Sequence, residues 1–235
     1  MWDRYPKFSR IKKNILDAID GDIILASKLM PTSFGIGLQK KASSGKPLLV
    51  DIDDWELGFF YHSGFWGRVG RFLNFSNPNG LPYVWRMDRL VGYADAVSVS
   101  NRFLQKKFGG VLLPHCRDTT VLDPLKFNPN KIKEKMGFKN KKVVMFLGTP
   151  RPHKGVDDLL TAFKIIDNPD LNLAIIGADN HQEFLERIDR SIRHRVVVLP
   201  KMPFDKLPEL LSAADIIAIP QRRTSDSVGQ IPARL

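Results

Sequence analysis

The sequence predicts an α/β protein made of two doubly wound parallel sheets, and three observations carry that reading. Its apolar runs are short and unbroken, as in KVVMFLG (142–148) and LNLAIIG (171–177). Runs of that kind suit parallel strands covered on both faces, whereas half-exposed strands alternate. Most runs lead into a stretch with helical periodicity. The alternation also comes in two blocks, separated by a segment with Pro124, Pro129 and a lysine cluster. Residues 1–115 and 142–235 therefore read as two domains and 116–141 as a connector containing a helix.

In chain order, Ser9 is placed to cap a first helix in which Ile11, Ile15, Leu16 and Ile19 share one face, stopped by Asp20–Gly21. DIILAS (22–27) reads as a buried strand. Thr32 or Ser33 opens a helix that ends near Ser44–Gly45, and PLLVDID (47–53) is the next strand. Residues 81–95 read as helix, 96–100 as strand, 101–110 as a short helix with a glycine stop, and 111–114 as strand. The second block gives strands at 142–149, 171–178, 195–200 and 216–221, with helices at 154–167, from Asn180 to about Ser191, and at 205–215. Both ends read as interrupted: the first obvious strand begins at 22, and Pro232 would suit the first turn of a helix just where the sequence stops. The expectation is a piece of a larger molecule, with both domains incomplete.

Composition narrows the function classes. At 235 residues and 43% hydrophobic, with a mean hydropathy of −0.19, the chain is neither disordered nor collagenous. No apolar run approaches the ~18 residues of a membrane span. The basic N-terminus lacks the apolar segment of a secretory signal. A single cysteine, Cys116, excludes a disulfide framework and a multi-thiolate metal site, so the expected compartment is the cytoplasm. The net charge of +11 favours anionic partners. The densest basic stretch, Lys131–Lys142, holds six lysines and one glutamate and reads as a solvated helix and turn, or else as a contact with anionic membrane. Nucleic acid is a weak alternative, because no helix-turn-helix, zinc-finger or RNP motif accompanies the charge.

The chemistry-bearing motif is the loop after the 142–148 strand, Gly148-Thr149-Pro150-Arg151-Pro152-His153-Lys154-Gly155, which runs into a helix. Its two glycines allow close backbone approach. Arg151 supplies a planar fork for phosphate oxygens and Lys154 a mobile point charge. The helix that follows turns its positive dipole end toward an anion. The combination suits a diphosphate; the plainer alternative is a basic turn with solvated side chains. It is neither a P-loop nor a G-x-G-x-x-G fingerprint.

Taken in order, GTPRPHKG, LAIIGA, LPKMP, LLSAADIIAIP and DSVGQIP resemble the donor-binding half of GT-B glycosyltransferases of the retaining family-four type. The segments DIILAS, KPLLVDIDDW, ADAVSVSNRFL and LLPHCRDT resemble that family's N-terminal domain from its middle onward, so the likeness covers about 210 residues. It implies two Rossmann-like domains and transfer of a sugar from a nucleotide-sugar to a glycan, lipid or polysaccharide-precursor acceptor. No metal or other cofactor is implied.

The resemblance also assigns roles. Lys154 matches the family's diphosphate-binding lysine, while Thr149 stands at the usual arginine position, with Arg151 two residues on as its substitute. Gly148, Gly155, Gly177 and Met202 fall in the donor-site loops. The family's E-S-F-G turn is Asp226-Ser227-Val228-Gly229 here, and the helix it opens begins near Gln230. The second glutamate, which grips the donor ribose, is not at its nominal place, where Arg234 stands. Asp53 replaces a histidine that borders the cleft, and the Gly-rich acceptor loop has no counterpart.

Asp53 would orient an acceptor hydroxyl or the sugar; with Asp51 and Asp54 it could equally cap the next segment or pair with arginine, and no second carboxylate cluster argues for Mg²⁺. Residues 55–85 hold ten aromatic side chains, from Trp55 to Trp85, interleaved with Arg68 and Arg71. They read as cover for the first sheet or as a contact with a lipid surface. His115 and Cys116 are two ligands at most, too few for zinc. The expected protein is thus a peripheral, cytoplasmic glycosyltransferase whose partners are a nucleotide-sugar and an anionic membrane surface. Its rival is an inactive relative that keeps nucleotide or partner binding.

Overall fold

The computed structural model describes residues 3–61 and 64–230. Pro232 and Arg234 lie outside the described residues. The chain divides into two compact units, one of residues 3–115 with 223–230 and the other of 116–222. The last stretch, 223–230, thus groups with the first unit, although the sequence reading assigned it to the second domain.

The first unit holds a four-stranded parallel sheet in the order β1-β2-β3-β4: Ile24–Ser27, Leu48–Ile52, Ala96–Val99 and Val111–Leu112. Register runs Ile24 to Leu48, Leu49 to Ala96 and Ser98 to Val111. Its core gathers Ile24, Ala26, Leu48, Val50, Ile52 and Val99 from the strands with Phe34, Met87, Val91 and Leu104 from the helices. The helices of this unit are α1 (Lys7–Ala18), α2 (Ile36–Ser44), α3 (Gly58–Tyr61), α4 (Phe65–Phe72), α5 (Leu81–Leu90) and α6 (Arg102–Phe108).

The second unit repeats the plan with β5 (Lys142–Leu147), β6 (Leu171–Ile176), β7 (Val196–Leu199) and β8 (Ile216–Ile217), ordered β7-β6-β5-β8 and parallel throughout. Around it stand α7 (Pro129–Lys135), α8 (Val156–Ile165), α9 (His181–Arg187), α10 (Arg190–Arg193) and α11 (Leu207–Ser212). One face buries Val144, Phe146, Leu173 and Ile175 against Val156, Phe163, Ile188 and Ile192. The other buries Val143, Met145, Ala174 and Ile176 against Ile132, Phe138 and Ala213. Both faces are covered, as unbroken apolar strands require.

Several boundaries differ from the sequence reading, each for a local reason. The first helix starts at Lys7 behind Pro6, so Ser9 lies inside it and caps nothing. The 180–191 helix is two: Asp189 accepts from the Ser191 amide and hydroxyl, and this local bond starts a new turn after Ile188. The last strand stops at Ile217, short of Pro220, which lacks an N–H for the ladder. The 205–215 helix opens with a 3₁₀ turn and ends at Ser212. Helices α3 and α4 were not foreseen, since aromatic and glycine residues mask their periodicity.

Asp215, between α11 and β8, ties these elements together. It accepts from the Val143 amide and from Lys133 and Lys142. Burial opposes its charge, but these donors outweigh it and hold its carboxyl at about 2.

Candidate functional site

In the second unit, parallel strands bring their C-terminal ends to one edge, where α/β sheets bind ligands. Gly148 follows β5 and Gly177 follows β6, their amides donating to the carbonyls of Ile176 (2.7 Å) and Leu199 (3.0 Å). The two glycines are in close contact. A Cβ on Gly177, where φ is +110°, would lie 2.9 Å from the Gly148 carbonyl carbon. Met202 follows β7, and its side chain packs on the core beside Ile176 and Ala213.

The loop from Gly148 closes through a 3₁₀ turn, Pro152–Lys154, into Gly155, which adopts φ +69° and begins α8. Only glycine takes that conformation at no cost. Space forbids a side chain as well, since a Cβ there would sit 1.8 Å from the Pro220 carbonyl oxygen. The segment after β8 thus packs directly on the loop. Arg222 donates its amide to the His153 carbonyl (2.9 Å) and its guanidinium to both oxygens of Asp158 on α8 (2.6 and 2.5 Å). That fork holds the Asp158 carboxyl below its usual range.

Lys154 is half-buried, and its ammonium donates to Gln221 Oε1 at 3.4 Å. Arg151 is exposed, and among the described residues its guanidinium has no hydrogen bond or ion pair. No side chain caps α8, and its first turn already carries Asp157 and Asp158 against the helix dipole. The unit therefore gathers Gly148, Thr149, Arg151, Lys154, Gly155, Gly177 and Met202 on one edge of one sheet. Gln221 and the Arg222–Asp158 fork were missed in the sequence, which gives no sign of pairings more than 60 residues apart.

The other candidates belong to the first unit. Thr224–Gln230 forms a helical turn in which the Val228 amide donates to Thr224 O (3.0 Å) and the Gln230 amide to Ser227 O (3.0 Å). The Asp226 carboxylate is buried and accepts from the Thr224 hydroxyl. Gly229 lies so close to Trp55 that a Cβ would meet the Trp55 Cβ at 2.5 Å, and its carbonyl accepts from Asn101 (3.0 Å). Gly58 likewise leaves no room for a Cβ beside Ser225 O, at 2.4 Å. The turn that carries Asp226, Val228, Gly229 and Gln230 is thus seated, through Ser225 and Gly229, against Gly58, Trp55 and Asn101.

Asp53, after β2, belongs to a cluster with Asp54 and Glu56, whose ligand atoms lie within 4.8 Å of one another. The Lys28 ammonium stands among them, 3.3 Å from Asp53, 3.1 Å from Asp54 and 3.2 Å from Glu56. Burial opposes the charge on Lys28, but Glu56, Asp54 and Asp53 outweigh it and raise its pKa. Burial of Glu56 raises its carboxyl, with Lys28 pulling the other way. Lys28 itself holds φ +75°, uncommon for a residue with a Cβ, and its amide donates to Asp51 O (2.8 Å). Asp53 is therefore a paired carboxylate, the alternative the sequence left open, with lysine rather than arginine as the base.

Residues 128–230 match the family described as glycosyl transferases group 1. That span is a little under half of the chain. A GDP-mannose-dependent phosphatidylinositol monomannoside mannosyltransferase of Mycolicibacterium smegmatis is 29% identical over 146 residues, 57% of this chain and 38% of that protein. An uncharacterized glycosyltransferase of Methanocaldococcus jannaschii is 29% identical over 110 residues, 42% of this chain and 28% of its own length. Among solved structures, Anabaena HepE in complex with UDP superposes with a TM-score of 0.62 at 15% identity, covering 91% of this chain and 56% of that one. A glycosyltransferase from Rickettsia africae gives 0.59 at 14% identity, over 90% and 55%. At such identities the likeness shows the fold, which is GT-B. The chain spans about half the length of these structures, or less than that of the curated relatives. The group 1 match takes in every candidate of the second unit and the 226–230 turn, whereas Asp53 lies outside it.

Proposed function

We propose that the protein is a glycosyltransferase that takes its sugar from a nucleoside diphosphate donor, with the diphosphate seated on the Gly148–Gly155 loop. The observation that carries this is the convergence of that loop with Gly177 and the Met202 segment at the C-terminal edge of β5, β6 and β7, inside a group 1 span. Close glycine packing lets phosphate oxygens reach backbone, while Lys154 and Arg151 bring charge to them. In transfer, the bond from the anomeric carbon to the diphosphate breaks and its electron pair stays on the leaving group. An acceptor hydroxyl oxygen takes the carbon and gives up its proton to the departing diphosphate. Lys154 and Arg151 stabilise the charge building on the departing diphosphate. The reading needs no metal, because the Asp53–Asp54–Glu56 carboxylates already have an ammonium between them. Relatives are named for GDP-mannose and one neighbour is described with UDP-glucose, so both bases belong in the test. Among the described residues no helix is long and apolar enough to cross a membrane.

Calorimetric titration of UDP, GDP and ADP against wild type and Lys154→Ala tests the site. Loss of a charge-assisted contact of ~1.5–3 kcal/mol lowers affinity roughly tenfold or more. Equal affinity for both proteins would remove the loop from the donor site. A second reading, nucleotide binding without transfer, is favoured by the pairing of Asp53 with Lys28 and by Thr149 at the family's arginine position. Donor-hydrolysis and transfer assays separate the two.

A further inference from the structure

We propose that α4 and the turn after it form a docking surface for an anionic lipid bilayer, which they enter to the depth of the headgroups. No residue of this eight-residue helix is buried. Trp66 is 82% exposed, Phe65 65% and Leu73 63%, and Phe72 and Phe75 are exposed as well. At 100° per residue, Phe72, Phe65, Val69, Leu73 and Trp66 fall within an arc of roughly 120°, so the exposed apolar groups share one face. A shallow cavity of about 340 Å³ opens along it, lined by Phe65, Arg68, Val69, Phe72, Leu73 and Leu81. A helix this short is marginal in water and gains most from a surface that takes its apolar side.

Charge identifies the occupant. Arg68 borders the apolar arc, with Arg71 one step further round. From Leu57 to Met87 the sequence has three arginines and no acidic residue, within a chain of net charge +11. A wide apolar arc of tryptophan and phenylalanine, edged by arginine and lacking carboxylates, is the composition of an interfacial helix on anionic lipid. The aromatic stretch thus divides. Trp55 and Phe60 pack against the cores of their unit, as sheet cover would, while Phe65–Phe75 faces outward. The proposal does not depend on the nucleotide reading, since vesicle binding needs no donor.

The test is co-sedimentation of the 235-residue chain with vesicles of phosphatidylcholine alone and with 30 mol% phosphatidylglycerol. The expected result is binding to the anionic vesicles that weakens with salt. It falls about fivefold for each of Arg68→Ala and Arg71→Ala, and about tenfold for Trp66→Ala combined with Phe72→Ala. These side chains are exposed, so the urea midpoint of each variant should match wild type. Failure of wild type to bind anionic vesicles overturns the proposal. So does binding that the α4 variants leave unchanged, which would assign it to the lysine cluster at 131–142. A dimer that Trp66→Ala with Phe72→Ala dissociates, in a protein indifferent to vesicles, would show that a second copy covers this face.

Discussion

Gly155→Ala is the smallest change that should dismantle the Gly148–Gly155 loop, and its cost can be worked from the geometry. The residue holds φ +69°, where a side chain costs roughly 1–2 kcal/mol. The new Cβ would also lie 1.8 Å from the Pro220 carbonyl oxygen, a backbone atom that yields only if the 218–222 segment moves. That shift would break the bond from the Arg222 amide to His153 and disturb the Arg222–Asp158 fork. The backbone bond adds about 1 kcal/mol, and the exposed ion pair little. The sum is about 2–3 kcal/mol, read as a lower urea midpoint at unchanged slope. UDP or GDP affinity should fall with it, because Lys154 and Gln221 ride on the two displaced segments. Gly70→Ala, an exposed position in the first unit with open space around the Cβ, serves as the control. If Gly155→Ala unfolds within ~0.5 kcal/mol of wild type, the packing of loop on segment described above is wrong.

Two further changes test the cores of the units. Lys28→Met leaves Glu56, buried, beside two other carboxylates with no counter-charge, and should cost about 2 kcal/mol at pH 7, reduced from the fully buried case because Lys28 is 36% exposed. Glu56 already has a raised pKa, so the deficit shrinks as pH falls toward 4 and the carboxyls protonate in both folded and unfolded chains; Lys28's own contribution is lost only as pH rises through its raised folded pKa, well into the alkaline range. A deficit that does not change between pH 7 and 4 in urea titrations would refute the cluster. Arg195→Met strips the donors from the carbonyls of Phe163, Ile166 and Asn168 and should cost about 3 kcal/mol, with Arg195→Lys recovering little, since one ammonium does not reproduce the fork; full rescue by lysine in thermal melts would contradict it.

The sequence made the strands of the second unit legible because they are nearly unbroken apolar runs, and sheet coverage on both faces demands that of Val143–Leu147 and, Asn172 apart, of Leu171–Ile176. The Gly148–Gly155 loop stood out as a candidate because it sets two glycines, an arginine and a lysine between a strand and a helix. The clasp of Lys28 on three carboxylates was not, because the lysine lies 25 to 28 residues upstream of them and no local pattern marks it. Helix α4 was missed because Gly67 and Gly70 depress its propensity and its apolar residues find no core to face. The break at Asp189 turned on one side chain choosing a nearby amide, a competition that periodicity cannot register.

The seat of the 224–230 turn has a consequence for how the chain is made. Asn101 and Gly229 are 128 positions apart, yet their hydrogen bond belongs to one compact unit. During synthesis at ~5–20 residues per second, on the order of ten seconds pass after Asn101 is made before the piece that covers Trp55 and Gly58 exists. The first unit must wait through the whole of the second with that flank of Trp55 uncovered. It can reach its final form only when translation has run past residue 229, so its completion is timed by its neighbour's synthesis.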